Sequence, residues 1–433
     1  MKRVAHPLLA ASLATTLLVA VGCIQPTAIV EPSRVEPARG EVDPQPAEKP
    51  KASPGDPPPP LAGAAIDVAP NVLSEQLLAD GWIALFDGES LYGWHAESKA
   101  DWQVVDGTIV AEQGDVGLLR TTSRFANYVL KLEFRSAAGT NSGVFLRTPG
   151  QPSAPESDCY ELNIADSDNP FPTASLVKRK KAEGDFDSAD WQSYEVTVDG
   201  SQVAVKLDGK TALEYSDPNP LATGFIGLQF RQGKIEFRNI HLKPLGLQPL
   251  FNGKDLEGWT EPADQAAKFS VTERGELHVA NGPGHLESVA AFADFIIQLE
   301  CRTHAADLNS GLFFRAIPGS KMDGYESQIH NGFHNNDRRQ PKDSGTGAIF
   351  RRQAARLVAA SDNKWFAKTV IADGNHFAVW VNGFLVTDWS DERKPDPNPR
   401  RGSKLAAGVF MLQGHDPTTD LSFRNVRAVE TRE

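Results

Sequence analysis

Most of this 433-residue chain is written twice, and that constrains its fold more than any other feature. LFDGESLYGW begins at Leu85 and LFNGKDLEGW at Leu250; NSGVFLR begins at Asn141 and NSGLFFR at Asn309. YELNI at Tyr160 is repeated as YESQI at Tyr325, GFIGLQFR at Gly224 as GVFMLQGH at Gly408, and FRNI at Phe237 as FRNV at Phe423. Five blocks in one order, with loops of differing length between them, mean a duplicated domain. The repeat is far longer than the roughly 20–50 residues of a solenoid unit.

Each copy reads as β-strands. Tyr128, Leu130, Leu132 and Phe134 share one face, and Lys131, Glu133 and Arg135 the other. Phe295, Ile297, Leu299 and Cys301 repeat the apolar half of that pattern in the second copy. Asp199-Gly200, Asp208-Gly209, Asp373-Gly374 and Asn382-Gly383 separate alternating runs, the strongest short-range hairpin signal. Closely spaced strands with almost no helical period predict an all-β chain with one β-sandwich per copy, residues 71–245 and 246–433. One short helix is predicted from Ser74 to Ala79, with Ser74 as N-cap and Gly81 as its stop.

The residues before position 71 carry different information. Lys2 and Arg3 precede an apolar run from Leu8 to Val21, shorter than the roughly 20 residues a membrane-spanning helix needs. Gly22-Cys23 closes it. Residues 1–22 therefore read as a secretory signal, and Ala20-Val21-Gly22-Cys23 resembles a bacterial lipobox, which makes Cys23 the expected lipidated N-terminus. Residues 23–70 read as a disordered tether. Twelve of the 30 prolines lie between residues 24 and 70, with no aromatic residue, too little apolar surface to offset ordering entropy. In extended polyproline form it would reach roughly 140 Å. The expected location is the bacterial cell envelope, periplasmic or surface-facing, anchored to membrane through the lipid.

Charge excludes one class of partner. Lys and Arg number 44 against 56 Asp and Glu, a formal charge of −12, which disfavours nucleic acid. Three cysteines are too few for a disulfide framework, and Cys159 and Cys301 fall at different places in the two copies, so no disulfide between them is expected.

The repeated blocks resemble a bacterial family with a concanavalin A-like jelly roll, named for 3-keto-glucoside 1,2-lyase and 3-keto-2-hydroxy-glucal hydratase activity, or 3-keto-disaccharide hydrolase. Its pattern runs LF[ND]GxxLxGW, NSG[IVL][FY]xR, YExQI, a TGA[IL][YF] segment, a hairpin ending WxNG, and LQxH before FRNI. The second copy matches from Leu250 to His415. The first departs at Asn163, Thr173-Ala174-Ser175, Lys206 and Arg231. The resemblance implies two tandem jelly-roll sandwiches and cleavage or hydration of 3-keto sugars, with the second copy the better candidate for catalysis.

Period-two alternation places Glu326, Gln328 and His330 on one strand face, matched in the first copy by Glu161, Asn163 and Ala165. Carboxylate, amide and imidazole in a row suit the floor of a sugar site, although antiparallel sheets also present polar faces to plain solvent. A retaining glycosidase needs two carboxylates about 5 Å apart; two residues beyond each glutamate stands Gln328 or Asn163, so a partner would have to come from another strand. Lyase chemistry needs a base near C2, donors at the developing enolate oxygen and an acid at the leaving oxygen. Glu326, His330 and His415 are the titratable candidates, and sequence leaves open which is the base. Arg315, Gln328 and Gln413, with Glu161, Asn163 and Arg147 in the first copy, are candidates for gripping substrate oxygens.

Other features carry less. The run from His330 to Asp337 could ligate a divalent cation, a plain polar loop being the alternative; no cofactor is otherwise called for. Lys178 to Lys181 reads as a solvated basic loop, and Trp94 and Trp259 as edges of the core. The rival functions are a non-catalytic carbohydrate-binding lipoprotein and a surface adhesion or scaffold protein.

Overall fold

The computed structural model describes residues 72–431 except 185 and 187–189. The signal segment, Cys23 and the tether lie outside the described residues.

Each copy pairs a large sheet with a small one. In the first, strands Lys210–Ser216, Gln202–Leu207, Gln192–Asp199, Tyr128–Ser136, Ile235–Pro244, Thr108–Ala111 and Gln103–Val105 lie side by side, and Ile83–Ala84 adds an eighth. The facing five-stranded sheet runs Trp94–Ala96, Gly117–Thr121, Phe225–Gln232, Asn141–Thr148, Tyr160–Ala165. The second copy repeats both, its small sheet running Trp259–Thr260, Gly284–Phe292, Gly408–Gly414, Ser310–Ala316, Tyr325–Ile329. Neighbouring strands are antiparallel, and the molecule is an all-β pair of jelly-roll sandwiches.

The turn chemistry forms as its residues dictate. Gly200, Gly209, Gly374 and Gly383 take φ between 54° and 76° at the hairpins, with Asp208 and Asn382 also left-handed. The short helix spans Glu75–Ala79, and the Ser74 side chain accepts the Leu77 amide at 3.4 Å. The opening motif also finds its reason. The Trp94 indole donates to the Leu85 carbonyl at 2.7 Å, and Trp259 to Leu250 at the same distance, so each tryptophan clips the start of its copy to the core. Cys159 and Cys301 are buried free thiols.

The two sandwiches share a boundary core. Phe295, Ile297 and Val370 fill the second sandwich, whereas Ile296, Ile371, Ala378, Trp380 and Leu385 pack into the core of the first. Both faces of this part of the large sheet are therefore dry. Polar clasps rim the contact: the Trp380 indole donates to Ala84 O at 2.9 Å, Arg124 forks onto Asp373 at 2.5 and 2.7 Å, and Arg356 meets Asp87 at 2.8 Å.

Candidate functional site

In the second copy the small sheet turns one face toward its own core and the other outward. Tyr325, Ile329, Leu312, Phe314 and Leu412 point in. On the opposite face, register aligns two cross-strand rows. One runs Glu287, Met411, Phe313, Glu326. The next runs His285, Gln413, then Gly311, then Gln328. Gly311 leaves a gap in the middle of its row, and the Glu326 carboxyl fills part of it: a β-carbon there would lie 2.8 Å from Oε1. The glycine of the NSG motif is thus required by close approach. The serine beside it has a separate task, donating to the Gln413 carbonyl at 2.7 Å, as Ser142 does to Gln229.

Three buried polar atoms on this face lack a hydrogen-bond partner among the described residues: His285 Nε2 (3.9 Å from Glu287 Oε2), Gln328 Oε1 and Gln413 Oε1. Such atoms cost free energy unless something satisfies them, and all three lie along one cross-strand row. The Gln328 amide nitrogen is committed, donating to Asp343 Oδ2 at 2.9 Å and Asp343 O at 3.2 Å.

Glu326 is 5% exposed. Burial pushes its carboxyl above the ordinary glutamate range; Arg400, His415 and Lys368 pull it back, and the Asp343 charge pushes it up again. Arg400 reaches Oε2 at 3.4 Å while its guanidinium lies 5.1 Å from the Phe313 ring centroid. His285 is held below the usual imidazole range by burial, against the pull of Glu287.

The remaining sequence candidates fall in different places. His330 lies one residue beyond the strand, its amide bonded to Thr346 Oγ1 at 2.9 Å and its Nδ1 accepting from the Gly332 amide at 3.2 Å. His415 is half-exposed and bonds Asp416 through Nδ1 at 2.8 Å. Arg315 and Arg147 are corrected outright. Both sit at bulges with φ 46°, which turns their side chains into the protein. Arg315 donates to the carbonyls of Ala293, Gly374 and Lys404 and to Asp294; Arg147 donates to Ala126, Gly200, Leu221 and Asn127. Four of the five guanidinium donors of each are spent inside the protein and both side chains are buried, so they act as braces. In the His330–Asp337 loop Asp337 pairs with Arg339, and Asn331 bonds Asp362 and Thr346. Within the basic run, Arg179 is buried on Asp217 at 2.9 Å.

Sequence reading missed His285, Glu287, Asp343 and Arg400. The first two sit on a strand with no motif. Asp343 stands three residues before the TGA segment and takes a strained left-handed conformation, φ 45°, followed by Ser344 at φ 68°.

In the first copy the equivalent rows are Arg120, Gly227, Phe145, Glu161 and Leu118, Gln229, Gly143, Asn163. Burial raises the Glu161 carboxyl while Gln229, Arg231 and Lys178 lower it. The Asn163 amide nitrogen is bound to Phe171 O. With Gly227 in place of Met411, the face holds a cavity of about 380 Å³ lined by Glu161, Gln229, Arg231, Phe145 and Pro152.

A 3-keto-disaccharide hydrolase of Bacteroides thetaiotaomicron is 26% identical over 231 residues, covering 39% of this chain and 79% of that protein. A proposed glycosyl hydrolase of Parabacteroides distasonis matches in structure with 23% identity and TM-score 0.37, over 41% of this chain and 99% of its own. A carbohydrate-binding module of Bacillus subtilis matches with 21% identity and TM-score 0.27, over 39% of this chain and 93% of its own. Residues 81–243 and 246–428 each match the 3-keto-alpha-glucoside-1,2-lyase-like domain, and the chain belongs to that family twice over.

Proposed function

We propose that this is a carbohydrate-active protein that cleaves 3-keto-glycosides at the outward face of the second small sheet. The carrying observation is the buried carboxyl of Glu326 on the same sheet face as His285, Gln328 and Gln413, of which His285 Nε2 and the two Oε1 atoms have no hydrogen-bond partner among the described residues. A 3-keto group acidifies the hydrogen at C2. Glu326 takes that proton, the electron pair moves toward the C3 oxygen, and the enolate returns it to expel the C1 oxygen. A carboxyl with a raised pKa is, once ionised, a better base than an ordinary glutamate. Arg400 supplies positive charge for the developing enolate. The leaving oxygen collects a proton from solvent or from half-exposed His415. The product is the 3-keto-2-hydroxy-glucal, and addition of water across its double bond would complete net hydrolysis.

The first copy supports a second role in the same protein. Its open cavity carries Glu161, Gln229 and Arg231 but no imidazole at the positions of His285 and His415. It suits holding a glycan better than cleaving one. The test is incubation of the full chain with a panel of 3-keto-glycosides, following release of the C1 group. Glycan affinity without release would favour the binding-module reading. Export and anchoring at Cys23 belong to the same proposal, and Cys23→Ser should yield a protein that carries no lipid label and leaves the membrane fraction.

A further inference from the structure

The large sheet of the second copy carries a cluster that the sugar face does not use. His278 stands on strand Leu277–Ala280, directly opposite Ser422 on strand Asp420–Glu430, which in turn faces Arg302 on strand Phe295–Thr303. Asp420 opens its strand, and His304 follows the end of its own, with its amide bonded to the Asp420 carbonyl at 2.9 Å. His278 Nε2 lies 2.9 Å from Asp420 Oδ1, and His304 Nε2 lies 2.9 Å from Ser422 Oγ. One ligating atom from each of His278, His304 and Asp420 falls within 4.8 Å of the others, in an open depression of about 530 Å³.

The first copy is an internal control. In the same register His278, His304 and Asp420 become Val110, Ala137 and Lys234, and the bond corresponding to His304–Asp420 persists as Ala137 N to Lys234 O at 3.1 Å. There, Glu236 ties Arg135 and Lys234 together at 2.8 and 3.2 Å, an ordinary surface ion-pair net. In the second copy Ser422 replaces that glutamate, and three separate segments each carry a ligand-type residue where the first copy has none.

We propose that His278, His304 and Asp420 form a binding site for a divalent transition cation of the zinc class, on the large sheet and separate from the sugar face. Two imidazoles and a carboxylate are a preferred donor set for such ions, with a fourth position left to water. Bonds of about 2.0–2.1 Å to nitrogen in a tetrahedron require the ligands to close in from their present spacing. Asp420, with its side chain 51% exposed, has room to do so. The opposing group is Arg302, whose Nη2 lies 3.4 Å from His304 Nδ1. Its charge repels a cation and its donor competes for the imidazole. Occupancy would pin three adjacent strand ends together.

The experiment is titration of the EDTA-treated full chain with Zn²⁺ alone, by calorimetry and by thermal unfolding. One site is expected, raising the midpoint of unfolding. His278→Ala and His304→Ala should each weaken it at least tenfold and abolish the thermal shift. Arg302→Gln should tighten it several-fold, and His415→Ala should leave it unchanged. All four side chains sit at or near the surface, so unchanged metal-free unfolding curves serve as the folding control; Asp420→Asn gives a milder variant should either histidine change destabilise the fold. Affinity within threefold of the parent in both histidine variants, or in Asp420→Asn, would overturn the proposal, as would absence of parental binding below about 100 µM, the level of adventitious surface sites.

Discussion

The carboxyl of Glu326 lies across Gly311 so closely that a single added methyl would meet Oε1 at 2.8 Å and Cγ at 3.0 Å. Gly311 is not left-handed, so alanine fits its backbone but not its neighbour. Gly311→Ala should push the carboxylate out of register and lower kcat on a 3-keto-glycoside by roughly 10- to 100-fold, within the usual worth of a positioned base. The unfolding midpoint should change little. In the first copy the glutamate stands further off, with Glu161 Cγ 3.7 Å from the equivalent β-carbon of Gly143. Gly143→Ala should leave turnover near the parental value, and equal losses from the two variants would place the chemistry in both sheets.

Removal of the base gives a sharper test. Glu326→Gln keeps the shape and deletes the charge, so turnover should fall by about 10²- to 10⁴-fold, whereas Glu161→Gln should cost much less. Burial raises the Glu326 carboxyl. The base works ionised, so kcat/KM should climb with pH through a midpoint above the ordinary glutamate range, then level. His330→Ala and His415→Ala test the competing assignments. If that limb survives in Glu326→Gln, the limb belongs to another group.

The sandwiches, their duplication and the strand that carries Glu326 and Gln328 were legible because period-two alternation and Asp-Gly turns act locally. Alternation failed at Arg147 and Arg315, where a bulge with φ 46° reverses the face of one residue. It also hid the boundary between copies. Ile296, Ile371 and Ala378 occupy the face that alternation assigns to solvent, and only the tertiary contact explains them. His285, Asp343 and Arg400 arrive at the sugar face from loops and a strand far away in sequence, and no spacing rule connects them.

That boundary makes its own prediction. Fragments 71–245 and 246–433 each contain a core, but separation exposes Ile296, Ile371, Trp380 and Leu385 together, a contiguous apolar surface of the kind that drives association. Made alone, the second fragment should aggregate or dimerise. Made together, the two should co-purify, and Trp380→Asp should abolish that. A monomeric, soluble second fragment in analytical ultracentrifugation would argue against a dry boundary.

The braces should report on stability rather than on substrate. Arg315 is fully buried and makes one ion pair with Asp294 and three bonds to carbonyls. Arg315→Met takes the cation from Asp294, which still accepts the Gly374 amide at 2.8 Å, and the donor from three carbonyls; breaking a buried pair from one side typically costs about 3–5 kcal/mol. The midpoint of denaturant unfolding should drop accordingly, while KM for any sugar at temperatures where the variant is folded should stay within about twofold. A raised KM with normal stability is the opposite pattern and would return Arg315 to the site.

Beneath the sugar face, Lys368 is fully buried and donates to the carbonyls of Ser327 and Gln328 at 2.7 and 2.9 Å, pinning the strand between Glu326 and His330. Tyr194 does the same work in the first copy, its hydroxyl donating to Asn163 O at 2.8 Å. Burial lowers the Lys368 ammonium from its ordinary 10.5 to about 7, against the weaker pull of Cys301 and Glu326. The folded value lies below the unfolded one, so between them the unfolded chain holds a proton that the folded chain has given up. Stability should therefore rise with pH from about 7 toward 10 and be lowest, and flat in this group, below 7. Lys368→Tyr borrows the first copy's solution and removes the titration. Its unfolding midpoint should lose the upward slope between pH 7 and 9 that the parent shows, and a slope equal to the parent's would assign that dependence to other groups.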